Sequence, residues 1–351
     1  MGLWGMIWFK PLAFAPLGGW PVWHAHEMVF GFAGAFVAGF LLTASQNWTG
    51  LPGLSGVRLL ALFLVWLIAR LAWLFGGPWW LAAGFDSGFY LVSAIALASL
   101  LWQAKNARNY FFVGLLLILG FTAFTSALGT QSNWQLISIS HRSAFWCIAL
   151  VAFVMGARVI PFFSERKLQY QRFNLGKFWQ PLAILSLVVF VFLDLLTIRG
   201  WVSSLVGSLS ALCFLVMAIS WKPWRTLPEP MLWSLHLAYG FLVLGLVVCA
   251  WLPGNKDAFH LLAVGGLGLL ILAMISRVSL GHTGRGIQAS PWVVMAFLCL
   301  IIAALIRGLW PLLLGGNHLS IYSISILFWL LGFGIFMIQY WPVLTQPRAD
   351  R

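Results

Sequence analysis

Charge is what this chain most conspicuously lacks. Only 8% of its 351 residues are charged, and just seven are acidic. Soluble domains carry about 25% charged residues, so an ordinary water-soluble fold is excluded. The four cysteines, Cys147, Cys213, Cys249 and Cys299, fall singly inside four different apolar runs, and there is no CxxC. That excludes a zinc knuckle, a disulfide framework and a thiolate metal site, and leaves the thiols as buried packing residues. The first 17 residues hold a single charge, Lys10, and no small-residue cleavage pattern after a basic start. No cleavable signal peptide is read there. The net charge of +13 would suit a nucleic-acid partner, but the cations sit in short loops between apolar runs. They are a topology signal, and no nucleic acid is expected.

What the chain has is apolar length. Hydrophobic residues make up 62%, with 22 Trp and 29 Phe, and the mean hydropathy is +0.96. A spanning helix needs about 20 mostly apolar residues, and such runs recur from end to end. The pattern predicts an all-α, polytopic transmembrane helical bundle of about eleven spans in the lipid bilayer: 24–45, 57–75, 79–103, 110–128, 137–160, 179–198, 201–220, 231–252, 258–278, 291–309 and 320–341. The first 20 residues read as the tail of a further span or a re-entrant piece. Short linkers favour one membrane domain over residues 1–351, and the 164–177 stretch is the weak internal boundary. No internal repeat is evident. Most of the 20 Lys and Arg fall in alternate loops: Arg58; Lys105 and Arg108; Arg158, Arg166, Lys167, Arg172 and Lys177; Lys222 and Arg225; Arg277 and Arg285; Arg348 and Arg351. By the positive-inside rule these loops and the C-terminus are cytoplasmic. The exceptions are Lys10, Arg70, Arg142, Arg199, Lys256 and Arg307.

That topology gives each histidine a depth. His24, His26, His141 and His260 lie near the outer face, His236 and His282 near the inner one, and His318 in the last outer loop. His260 and His282 are 22 residues apart, roughly 33 Å along a straight helix. Metal–imidazole bonds are about 2 Å long, so the two cannot share an ion. If both are ligands there are two sites, one per face. Ionisable groups inside a membrane are functional by default, and WHAHEMVF opens the first full span with two imidazoles and Glu27. His24 stands in line with Gly31, Ala35 and Ala38. A stripe so small admits either another helix or a flat macrocycle. His26 points about 200° away, so both can serve one centre only if the helix end is distorted. Arg70, Arg142 and Arg307 lie at outer ends where cations are not favoured. They suit the propionates of a haem, or else they pair with Glu27, Asp86, Asp194 or Asp257. Asp86 and Tyr90, at i and i+4, could pass protons inward or form a structural hydrogen bond.

Several segments carry a resemblance in order along the chain: WHAHEMVFGF with GFLLTASQNWTG, GARVIPFF at 156–163, LWSLHLAYGF at 232–241 and HLLAVGGLGLLILAMISRVSLGHTGR at 260–285. Together they resemble the NnrS family. The resemblance implies a bacterial inner-membrane protein of about a dozen helices that binds haem and copper in the response to nitric oxide. The residues that match the family pattern are His24, His26, His236, His260 and His282, with Arg158, Arg277 and Arg285; His141 rests on depth alone. The chain departs from the pattern in keeping only the end of the usual first helix, and in having Ser45-Gln46 where Val-Pro is frequent. The functional expectation is a b-type haem and copper held by the outer histidines, with nitric oxide as the ligand and its reduction as the further step, in denitrification or nitrosative stress. The inner pair would hold a second haem or pass electrons, and no electron donor is read. A proton-coupled transporter, with Gly265, Gly266 and Gly268 as a possible helix break, and a non-catalytic sensor or assembly factor are the alternatives.

Overall fold

Backbone amides in lipid have no water to bond, so apolar stretches of this length fold as helices that satisfy themselves. The computed structural model describes residues 1–10 and 12–350, so Arg351 of the cation series lies outside the described residues. Among those, every regular element is helical and no strand occurs. A five-residue helix α1 (Gly2–Met6) precedes eleven longer ones. These are α2 (Trp20–Thr49), α3 (Gly56–Leu74), α4 (Trp79–Gln103), α5 (Ala107–Gly129), α6 (Trp134–Leu168), α7 (Trp179–Leu195), α8 (Trp201–Ser220), α9 (Pro230–Trp251), α10 (Lys256–His282), α11 (Pro291–Leu314) and α12 (His318–Thr345). Ten are long and apolar enough to cross a membrane; α7, at 17 residues, is the short one. The fold is a polytopic helical bundle; each of the eleven expected spans falls on a helix, ten of them of spanning length, most with ends shifted by a few residues and α6 running on to Leu168.

Local chemistry sets the helix limits. Gly50 ends α2 in the left-handed conformation (φ +69°), its N–H returning to the Gln46 carbonyl at 2.8 Å, a C-cap that only glycine adopts without strain. Ser290 caps α11 by accepting from Val293 N–H, and Asn255 caps α10 by accepting from Asp257 and Ala258. Pro230 and Pro291 occupy first helical positions, where a missing N–H costs nothing.

The chain divides into two compact units, Phe9–Val151 and Met1–Trp8 with Ala152–Arg351. The division falls within α6, not in the 164–177 stretch. That stretch is bonded into its own unit: Phe173 N–H donates to the Ser220 carbonyl at 2.9 Å and Tyr170 O–H to the Trp221 carbonyl at 2.5 Å. In the same unit α1 lies against α12, with Trp8 edge-on to Tyr322 at 5.8 Å. The C-terminal tail folds back on the loop after α10. Ala349 N–H donates to the Thr283 carbonyl at 2.9 Å, and Arg285 reaches the Val343 and Pro347 carbonyls at 3.3 Å.

Candidate functional site

Among the described residues three stretches are wound wider than an α-helix, and two of them begin immediately after a histidine. Glu27–Gly34 follows His26, Leu261–Gly268 follows His260, and Leu305–Leu309 contains Arg307; all three are π-helical. Such widened turns are rare and concentrate at functional sites.

In the Phe9–Val151 unit the imidazole of His26 is wholly buried. Its Nε2 lies 2.6 Å from Asp86 Oδ2 and its Nδ1 3.3 Å from Ser126 Oγ. The ring stacks on Trp73 at 3.6 Å between centroids, and Trp73 Nε1–H donates to the same Asp86 oxygen at 2.9 Å. Ser126 Oγ is also 2.8 Å from His141 Nε2, so α5 places one hydroxyl between imidazoles from α2 and α6. The two rings are 5.8 Å apart. Asp86 is therefore met on one side by His26 and Trp73 and on the other by Arg70, whose second amine donates to Glu27 at 2.8 Å.

The widened turn is held open by side chains. Tyr90 O–H donates to the Phe30 carbonyl at 2.6 Å and Trp66 Nε1–H to the Gly31 carbonyl at 3.1 Å. Both carbonyls are thus given partners outside their own helix. A Cβ on Gly31 would meet Arg70 Nη1 and Glu27 Oε2 at 2.6 Å, and one on Gly34 would run into the Tyr90 hydroxyl. The small face of α2 is filled by Arg70 and Tyr90, and a macrocycle lying on that face does not fit. Tyr90 spends its hydroxyl on a backbone carbonyl, the structural one of the two roles considered for it. His24 is half-buried. Trp20–His26 is regular α-helix and the winding changes only after His26, so the distortion that would turn both histidines to one centre is not between them.

The second unit repeats part of this arrangement. His260 Nδ1–H donates to the Lys256 carbonyl at 2.7 Å, the i−4 carbonyl of its own helix, which leaves Nε2 available. Arg307, buried, pairs with Asp257 and stacks over the Tyr322 ring at 4.2 Å. Gly265 and Gly266 admit the Phe241 ring and Leu242 of α9, so the glycine run serves close helix packing and α10 continues unbroken through it. Of the three arginines considered for propionates, Arg70 and Arg307 pair with Asp86, Glu27 and Asp257, the alternative considered for them. Arg142 is half-buried beside His141.

His236 is half-buried, with Nε2 2.9 Å from Ser164 Oγ and its ring edge-on to Trp221. His282, at the end of α10, and His318, at the start of α12, are exposed. Among the described residues no three His, Cys, Asp or Glu side chains converge as a metal-binding group. What converges is a pair of imidazoles. Were a copper ion bound there, His26 and His141 are the imidazoles that would hold it, with Asp86 behind one ring in the manner usual for a ligating histidine. His260, oriented by a backbone carbonyl, is the imidazole that would hold haem iron, were haem bound there. Sequence reasoning missed Ser126, Trp73 and Ser164, uncharged residues with no spacing that marks them.

A family model described as NnrS protein matches residues 1–348. No curated protein and no solved structure matches the chain.

Proposed function

From the premise that this chain belongs to the NnrS family and is a multi-pass membrane protein, we propose that it binds copper through His26 and His141 and haem through His260, and that its ligand is nitric oxide. The observation that carries this is the Ser126 hydroxyl flanked by two imidazoles, one of them backed by a buried carboxylate. Asp86 takes the Nε2 proton of His26 and so fixes the tautomer in which the Nδ1 lone pair faces Ser126 and His141. Trp73 and Phe30 cover the two sides of the imidazole and keep water off it. Arg70 donates to both Asp86 and Glu27 and offsets one of their two negative charges behind the histidine. The Lys256 carbonyl does the corresponding work for His260 by accepting a hydrogen bond from its Nδ1–H. Haem iron and copper, when bound, supply nitric-oxide binding and one-electron exchange. Nitric oxide is small and apolar, so it reaches buried groups through lipid without a polar channel.

The protein is placed in the bacterial inner membrane with these histidines toward the outer face and its C-terminus in the cytoplasm, since alternate loops carry most of the cations. The test is the optical spectrum and metal content of the purified protein. A haem Soret band that nitric oxide shifts, together with bound copper, is expected. No Soret band, or one that nitric oxide leaves unmoved, removes the proposal.

A further inference from the structure

The loop after α6, the first turn of α7 and the end of α8 line an open cleft of about 510 Å³, within the few-hundred-Å³ range of small-molecule sites. Its walls include Arg172, Lys177, Asn174, Gln180, Trp179 and Trp221. The loop is fastened, not loose. Besides the Phe173 and Tyr170 bonds to the end of α8, Lys222 Nζ donates to the Gln171 carbonyl at 2.7 Å and lies over the Phe173 ring at 4.3 Å. Arg172 is held by Glu165, with Nε 3.3 Å from Oε1. Lys177 is exposed and has no partner among the described residues. After Glu165 offsets Arg172, the cavity therefore keeps one uncompensated cation.

Two features of α7 bear on what fills it. Its 17 residues rise about 25 Å, short of the roughly 30 Å of a bilayer core. A helix that falls short draws lipid headgroups inward at its end. Phe178, Leu185, Val188, Val189 and Phe192 are all exposed, a helical stripe that starts beside the cavity and runs the length of α7. We propose that the cavity is a binding site for the headgroup of an anionic phospholipid whose acyl chains lie along this stripe. One net cation matches the single charge of a phosphodiester, whereas a nucleoside polyphosphate brings several negative charges. Asn174 and Gln180 are amides suited to headgroup hydroxyls, and Trp179 is an amphipathic ring of the kind that sits at headgroup level.

The experiment uses the purified full chain in detergent, with dioctanoyl phosphatidylglycerol or dioctanoyl phosphatidylcholine added. Retained lipid is read by native mass spectrometry and stabilisation by thermal unfolding. Wild type is expected to hold one phosphatidylglycerol in preference to phosphatidylcholine. Lys177→Gln should weaken retention about fivefold, the worth of one cation near an anionic surface. Arg172→Gln with Lys177→Gln should abolish it, while Lys105→Gln with Arg108→Gln, cations outside the cavity, should leave it unchanged. Should the double variant fail to fold, the exposed and unpartnered Lys177→Gln decides alone. Equal retention of the two lipids, or retention unchanged in Lys177→Gln, overturns the proposal. Displacement of the lipid by millimolar inorganic phosphate also overturns it and assigns the cavity to a soluble anion.

Discussion

His26 and His260 occupy equivalent places in their own units and are held by opposite means. Each ends a short regular helix and precedes an eight-residue widened turn. Each has an arginine nearby that is pinned by a carboxylate: Arg70 by Asp86 and Glu27, Arg307 by Asp257. The difference is where the orienting acceptor comes from. His26 takes Asp86 from α4 and Ser126 from α5, so its geometry depends on three helices staying in register. His260 takes the Lys256 carbonyl from its own helix and keeps its orientation whatever its neighbours do. A carboxylate brought from another helix into an apolar interior is costly unless something cationic balances it. A backbone carbonyl carries no such cost. On the proposed reading the first site would compensate a bound cation and the second would aim a single nitrogen.

That contrast can be broken most decisively by exchanging the losses. We expect His26→Ala to lose its copper and keep its haem, and His260→Ala to show the reverse; metal analysis and the Soret absorbance of the two variants check this. Both cofactors vanishing together in either variant would mean the two sites are not separable. Next in size, Arg70→Ala strands Asp86 and Glu27 without a cation, which should cost about 3–5 kcal/mol, the range for breaking a buried pair. Arg307→Ala should cost less, because Asp257 is more open to solvent than Asp86 (17% against 1%). Thermal unfolding in one detergent ranks the two, and an equal or reversed ranking would undo the distinction. Asp86→Asn sharpens it further: copper affinity should fall about 10- to 100-fold, as for other partners behind a ligating histidine, with haem content unaltered. A competitive copper titration measures that. The smallest effect should be Tyr90→Phe, which leaves the Phe30 carbonyl without its donor at about 0.5–1.5 kcal/mol. There is no counterpart to lose at His260, and loss of copper from Tyr90→Phe would make the hydroxyl part of the site.

The helices were legible because their signal is length and apolarity, which tertiary structure does not override in lipid: α4 and α8 coincide with their expected ranges, and α2 begins only four residues earlier than expected. The shortness of α7 was not legible: the sequence reads as a full span over 179–198, and the helix ends at Leu195. The widened turns were not. EMVFGFAG and LLAVGGLG read as ordinary apolar helix, and what opens them is Tyr90, Trp66 and glycine contacts supplied by other helices. The partners of Arg70 illustrate a second limit. Its burial among charges was readable, since a guanidinium at that depth needs an anion, but the sequence offers propionate and carboxylate as equals. Only the packing that brings α4 against α2 distinguishes them. Ser126 lies further out of reach, a hydroxyl in FTSALG that resembles any helix-packing serine until two imidazoles are placed on either side of it.

The tail that folds back after α12 sets a practical boundary on handling this protein. Its bonds to Thr283 and Arg285 tie the last residues to the segment directly after His282. A reporter or purification handle fused there tugs on that histidine's surroundings through a few residues of taut chain. A spacer, or a handle moved to the exposed 315–317 connection, keeps spectroscopy on the native arrangement.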